Sequence, residues 1–142
     1  MVEALTGWTV AVTAERRANE QAQLLASQGA SVLAAPLVTS RPCDEGETRA
    51  CTEGLILRPP DIVIANTAIG LRSWFALAWS WDLGASLLDL LRTSYVAARG
   101  TKAAAALLTE GVPVAWRSER ETMADVVEHL VARGVDGQRV AG

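Results

Sequence analysis

Short apolar, β-branched runs alternate along this chain with longer stretches whose apolar residues recur every three or four positions. The first pattern fits strands buried on both faces, the second amphipathic helices. The run Trp8–Thr13 follows Gly7 and reads as a buried strand, with Thr13 placed to cap what comes next. From Glu15 to Gln28 the positions Ala18, Ala22, Leu25 and Ala26 keep helical spacing, and Gly29 stands where a C-terminal cap belongs. Ser31–Ala35 reads as the next strand, ended by Pro36. The two strands are therefore expected to be parallel, joined by a right-handed crossover.

Leu37 to Asp44 is polar and broken by Pro42, which predicts a linker. A helix is expected from Glu47 to Leu57, stopped by Pro59-Pro60, followed by a strand over Asp61–Ala65. Next come a Trp-rich helix over Ala68–Ala78, a turn over Trp81–Gly84 and a helix over Ala85–Arg92. Tyr95–Ala98 reads as a strand, Thr101–Glu110 as a helix stopped by Gly111, and Pro113–Trp116 as a strand. Thr122 opens a helix that runs to Arg133, before Gly134, and Gln138–Ala141 begins one more strand. Strands and helices alternating at this spacing predict an α/β fold on parallel sheet.

Composition narrows the class without changing that picture. The 142 residues are 50% apolar and 20% charged, with a formal net charge of −3. A compact chain of this size hides roughly 70% of its unfolded surface and needs no staples, so length alone predicts one complete domain. No apolar run reaches the length of a membrane span, and Met1-Val2-Glu3 does not open like a signal peptide, so the expected location is cytoplasmic. Cys43 and Cys51 have no histidine nearby and are not spaced as a redox or zinc pair, so no metal is expected. The acidic balance argues against non-specific nucleic-acid binding.

In such sheets ligands sit beyond the carboxyl ends of the strands, which selects Thr13, Asn66, Thr67, Gly100, Thr101 and Ser118. A dinucleotide turn would need closely spaced glycines where the chain has Thr13-Ala14-Glu15-Arg16-Arg17. A Walker loop, a receiver's acidic pair with its phosphoacceptor aspartate, and a Gly-x-Ser-x-Gly elbow are all absent. His129, the single histidine, falls inside the last helix and reads as solvent-facing. Trp74 shares helical spacing with Leu71 and Phe75, which means core more often than ligand stacking; Trp8 and Trp116 read as strand packing. What remains are Thr13, Thr67 and Thr101 at strand-to-helix junctions, with Arg16, Arg17, Arg72, Arg99 and Lys102 within a turn or so. Two readings stand side by side: a cleft binding a carboxylate- or phosphate-bearing ligand through helix N-termini and cations, or ordinary caps and surface arginines.

Three motifs, in order, resemble a known family. They are Leu5–Thr13 with Arg16-Arg17, continuing through Leu24-Leu25 and Gly29–Val32 to Ala35-Pro36-Leu37; Pro60–Arg72, which carries Asn66-Thr67 and Gly70-Leu71; and Ala97–Ala103, continuing to Leu107 and Gly111-Val112. The chain is similar to the N-terminal portion of uroporphyrinogen-III synthases, across essentially its whole length. The resemblance implies small parallel α/β domains joined by a two-stranded linker with the site in the cleft between them, here truncated. It places the opening βαβ of a discontinuous first domain over 1–36, an inserted second domain over 37–137, and the start of the strand returning to the first domain over 138–142.

The activity implied is cyclisation of hydroxymethylbilane to uroporphyrinogen III, a lyase reaction of heme and porphyrin biosynthesis that loses water and inverts ring D. It uses no cofactor. The substrate carries eight carboxylates, which suits threonines, arginines and helix N-termini. Motif matching implies that Thr13, Arg16, Asn66, Thr67, Arg99, Gly100, Thr101 and Lys102 bind substrate, with the catalytic residue unknown. Two departures stand out. Ala103 replaces a threonine found in many members, and the tyrosine often assigned as proton donor lies past Gly142, with Tyr95 not matching its place. The expectation is a segment inactive alone, whose partners are a linear tetrapyrrole or another polycarboxylate, with no direct nucleic-acid contact, no membrane, and self-association through the incomplete domain. The alternative is the ligand-sensing part of a regulator whose winged helix lies outside this chain.

Overall fold

The computed structural model describes residues 4–39, 41 and 43–142. Pro42, read as the linker break, and Met1-Val2-Glu3 lie outside the described residues. The chain divides into two compact units, Met1–Pro42 and Cys43–Gly142, where length alone predicted one.

The first unit is the expected βαβ. Strand β1 (Thr9–Val12) pairs in parallel with β2 (Ser31–Ala34), Val10 opposite Val32, with helix α1 (Ala18–Ala26) between them. The helix starts later than its apolar spacing predicts. Arg17 takes a left-handed φ of 59° at the N-cap, and no side chain caps the helix, so Thr13 does not play the capping part expected of it. Val12 is the one buried residue among those described in this unit, and Trp8, expected to pack, is 66% exposed. Two strands and one helix have too little surface to enclose an apolar core of their own.

The second unit holds a four-stranded sheet in the order β5-β4-β3-β6. Helix α2 (Glu45–Leu57) leads into β3 (Ile62–Ala65); α3 (Ala68–Ser80) and α4 (Gly84–Thr93) lead to β4 (Tyr95–Ala98); α5 (Thr101–Thr109) leads to β5 (Trp116–Arg117); and α6 (Met123–Arg133) leads to β6 (Val140–Ala141). All three pairings are parallel, with Ala65 opposite Ala98, Ala98 opposite Arg117 and Val63 opposite Ala141.

Strand alternation sorts the core into two faces. Val63, Ala65, Val96 and Ala98 meet Leu71 and Phe75 of α3, Leu87 and Leu91 of α4, and Leu107 of α5. Ile62 and Ala97 point the other way, onto Val126 and Leu130 of α6. Each leucine of this core contributes about 1.5–3 kcal/mol of burial. The short apolar strands are thus covered on both sides, as their sequence predicts.

One strand departs from its expected bounds. β5 lies at Trp116–Arg117 rather than Pro113–Trp116, because the ladder to β4 begins where the Ala115 N–H meets the Val96 carbonyl at 2.9 Å. The closing strand β6 lies at the edge of the second unit's sheet. The Arg139 N–H donates to Asp61 Oδ2 at 2.7 Å, and the Asp61 N–H returns a bond to the Arg139 carbonyl at 2.9 Å, which docks β6 beside β3.

The strand order also fixes where a ligand site belongs. From β3 the chain steps outward to β4 and β5 through helices on one face, then crosses back by α6 on the other face to reach the far side of β3. The direction therefore reverses between β3 and β6, and crevices at such reversals are where open α/β sheets bind ligands.

Candidate functional site

At the carboxyl end of β3 the chain enters α3 through Asn66 and Thr67, both exposed. Thr67 is the N-cap: its backbone is extended and its Oγ1 accepts from the Gly70 N–H at 3.2 Å. A Cβ on Gly70 would stand 3.0 Å from that same oxygen, a tight approach that the threonine side chain would have to yield to. The sequence reading of Thr67 as a cap at a strand-to-helix junction is what the structure contains.

Beside it, β4 is followed by Arg99 and Gly100, and α5 begins at Thr101. The Arg99 N–H donates to the Ala65 carbonyl at 2.9 Å, which locks the two strand ends together. Asn66, Thr67, Arg99, Gly100, Thr101 and Lys102 therefore emerge on adjacent strands at one end of the sheet. Arg99 is half-buried, Gly100 buried, and Thr101 and Lys102 exposed. Thr13 and Arg16, the other two expected site residues, are exposed members of the first unit, following β1.

Thr101 does not cap α5 as expected. The N-cap is Gly100, and no side chain of its own segment closes the helix. The closure comes from twenty residues away: the Thr101 N–H donates to Glu121 Oε1 at 2.9 Å, while Arg117 Nη1 donates to Thr101 Oγ1 at 3.1 Å. Hydrogen bonds from the Thr101 backbone and side chain, helped by the charges of Lys102 and Arg117, hold the Glu121 carboxyl below the usual glutamate range. No local spacing links Glu121 or Arg117 to Thr101, so the sequence alone does not single them out.

Ser118, the remaining strand-end position, is buried and committed to structure. Its hydroxyl donates to Asp125 Oδ2 at 2.6 Å, and Asp125 is also bound by Arg120. Hydrogen bonds from Arg120 and then Ser118 lower the Asp125 pKa. The same group sets the start of α6, where Thr122 Oγ1 accepts from the Asp125 N–H at 3.2 Å as the sequence predicts.

A cleft of about 880 Å³ opens between α2, the head of α3 and the β3–β6 edge. Leu55, Val63, Leu71, Trp74 and Val140 make its apolar walls, while Asn66 and Thr67 stand on its rim beyond β3. Its size is that of a small-molecule site, and its position is the strand-order reversal. Cys43 and Cys51 also line it as exposed free thiols. Trp74, expected to be core, is half-buried, with one edge tied to Thr52.

His129 differs from expectation. It is half-buried, stacked on Trp116 with ring centroids 4.1 Å apart, and its Nε2 lies 2.8 Å from the Tyr95 hydroxyl. This cluster sits on the α6 face of the sheet and is structural. Among the described residues no helix is long and apolar enough to cross a membrane.

The sequence profile of uroporphyrinogen-III synthase HemD matches residues 19–141. The chain belongs to the uroporphyrinogen-III synthase family. Solved structures agree. A mutant uroporphyrinogen III synthase from Thermus thermophilus superposes with a TM-score of 0.77 at 25% identity, over 87% of this chain and 48% of that one. The wild-type enzyme of the same organism gives a TM-score of 0.68 at 26% identity, over 87% of this chain and 47% of that one. This chain thus spans about half the length of the synthases it matches. No curated protein is a significant sequence match.

Proposed function

We propose that the chain is part of a protein that cyclises hydroxymethylbilane to uroporphyrinogen III, and that its share of the work is to hold carboxylate arms of the tetrapyrrole. The observation that carries this reading is the side-by-side emergence of Asn66-Thr67 and Arg99–Lys102 at one end of the sheet, tied by the Arg99–Ala65 hydrogen bond. Two helix N-termini, two hydroxyls and two cations meet there, a donor set for carboxylates rather than for a nucleotide or a metal. Thr13 and Arg16 carry the same chemistry in the first unit and are proposed as further carboxylate ligands.

The linear substrate carries its own leaving hydroxyl and electron-rich rings, so the protein's main task is to hold one folded conformer and disfavour closure without ring inversion. Fixed carboxylate contacts do this by positioning. The cations and N–H groups at the β3 and β4 ends hold the arms, and the apolar cleft beside Asn66 and Thr67 offers a dry surface to a ring. No residue of this chain is assigned the proton transfer to the departing hydroxyl.

Calorimetric titration of the 142-residue chain with uroporphyrinogen III tests the binding share. Binding is expected, weakened about tenfold by Lys102→Ala or Thr67→Val, each of which removes a charged or capping contact worth about 1–3 kcal/mol. Absence of binding, or binding indifferent to both substitutions, overturns the reading. Conversion is tested on a longer chain that spans the length of the Thermus enzymes, by the ratio of the III to the I isomer formed from fresh hydroxymethylbilane.

A further inference from the structure

The cleft beside β3 carries two thiols in its lining. Cys43 and Cys51 are both exposed and both free. One face of α2 makes that wall: Glu47, Thr48, Cys51, Thr52 and Leu55 follow one another at the spacing of a single helix face. Cys51 stands in the middle of it, one residue before Thr52, whose hydroxyl accepts the Trp74 indole N–H at 2.8 Å. Val63 and Leu71, buried members of the core, also line the cleft, so its inner surface is apolar and dry. At about 880 Å³ the space takes a whole small molecule. A thiol on an open helix face meets a reagent by collision alone, whereas Cys51 lies in the wall of a site that can hold the reagent first.

We propose that the cleft is a thiol-modification site: it takes up a neutral, flat, apolar disulfide, Cys51 exchanges with it, and the group gained fills the cleft. The proposal does not depend on the tetrapyrrole reading. In the exchange the Cys51 thiol gives its proton to solvent and its Sγ attacks one sulfur of the disulfide. A new S–S bond forms to Sγ while the old S–S bond breaks, and the departing sulfur leaves with the bonding pair and takes up a proton. One protein thiol is oxidised and half of the disulfide is reduced, so no other oxidant is needed. A small thiol reverses the step by the same route and reopens the cleft. The walls set the class of reagent. Leu55, Trp74 and Val140 offer apolar contact to a flat body, while Glu47, one turn before Cys51 on the same face, repels an anionic one. Cys43 precedes the N-cap Asp44 and so lies outside the helix face that carries Cys51. It reacts as an ordinary exposed thiol.

The test uses the full 142-residue chain, with dithiodipyridine, a neutral aryl disulfide that releases a coloured thiopyridone, as probe and glutathione disulfide as the anionic comparison. Each rate is divided by the rate for the same chain unfolded in urea, which cancels the intrinsic reactivity of the reagent. In Cys43→Ser, where Cys51 is the remaining thiol, dithiodipyridine is expected to react about tenfold faster with the folded chain than with the unfolded one, and the rate should saturate as the reagent fills the cleft. In Cys51→Ser the remaining thiol should show neither the gain nor the saturation. Glutathione disulfide should show neither in either variant. The aryl group on Cys51 should move the indole ¹⁵N signal of Trp74 and the amide signal of Val140 and leave the Thr101 amide in place. A folded Cys51 that reacts no faster than the unfolded one, or an adduct that leaves Trp74 unmoved, overturns the proposal. So does saturation that belongs to Cys43. An equal gain with glutathione disulfide overturns the apolar class of reagent. Loss of the aryl group from wild type through a Cys43–Cys51 disulfide, read by mass, overturns its retention in the cleft.

Discussion

The indole N–H of Trp74 donates to the hydroxyl oxygen of Thr52 at 2.8 Å, and this bond fastens α2 to α3. Thr52 is the buried residue of α2, 1% exposed, and its own hydroxyl donates down its helix to the Thr48 carbonyl at 2.7 Å. Everything else that α2 offers the core, Leu55 and Ile56, is only partly covered. Because the wall of the cleft hangs on this bond, Thr52→Val is expected to cost about 1–3 kcal/mol by leaving the indole donor unpaired. Thr52→Ser keeps the acceptor and should cost less. Urea unfolding followed by fluorescence checks both, and equal stabilities for the two variants would show that the bond does not hold the helix.

On the opposite face of the sheet, His129 bridges α6 to β4 and β5 by stacking on Trp116 and meeting the Tyr95 hydroxyl, with the Arg133 guanidinium 4.0 Å from the centre of the Tyr95 ring. The buried apolar cluster on this face is small, so the ring carries a large share of α6 docking. His129→Ala is expected to destabilise by about 1–3 kcal/mol, the sum of a lost hydrogen bond and a lost stacked ring. His129→Phe keeps the stack and should recover about half. Near-ultraviolet circular dichroism reports the Trp116 environment directly; an unchanged spectrum in His129→Ala would contradict the assignment.

Both clusters mark the boundary between what local pattern reveals and what tertiary pairing decides. The apolar runs at Asp61–Ala65 and Tyr95–Ala98 and the Thr67 and Thr122 caps are legible in the sequence, because each depends on residues within one turn of itself. The late start of α1 is not, since the left-handed Arg17 has no glycine or asparagine to announce it. The placement of β5 is set by its partner β4, and the docking of β6 by a bond from Arg139 to Asp61, 78 positions apart. Of the site, the threonine and cation positions on β3 and β4 follow from the strand ends, but the carboxylate that fills one of them is invisible there. Glu121 looks like any solvated loop acid until the fold brings it to Thr101.

Trp79 lies across Gly84 at the start of α4, and a Cβ there would stand 2.2 Å from the indole ring. The ring is half exposed, so it can be pushed outward without breaking the core. Gly84→Ala is expected to cost about 1–3 kcal/mol as the ring is displaced, with a red shift of tryptophan emission. Gly54→Ala, in the middle of α2 with open space around its Cβ position, is expected to stabilise by about 0.5–1 kcal/mol. A loss at Gly84, the first residue of α4, beside a gain at Gly54, inside α2, would separate space from backbone entropy, and a stabilising Gly84→Ala would refute the contact with Trp79.

Acid is expected to loosen the β5–α6 corner before the rest of the second unit. Hydrogen bonds from Arg120 and Ser118 depress the folded pKa of Asp125, and those from Thr101 depress that of Glu121. A carboxyl whose folded pKa lies below its unfolded one binds fewer protons in the native state, so stability rises with pH across that interval. Each contribution is therefore complete above the ordinary carboxylate pKa and is lost as pH falls through the lowered folded value. Asp125→Asn removes one of these contributions and Glu121→Gln the other, so at neutral pH both variants should be less stable than wild type. The gap should hold constant down to the ordinary carboxylate range and then close on further acidification. Urea midpoints measured across that range decide it: a gap that widens in acid would mean that these carboxyls are protonated more readily in the folded protein than in the unfolded chain, the reverse of what their hydrogen bonds require.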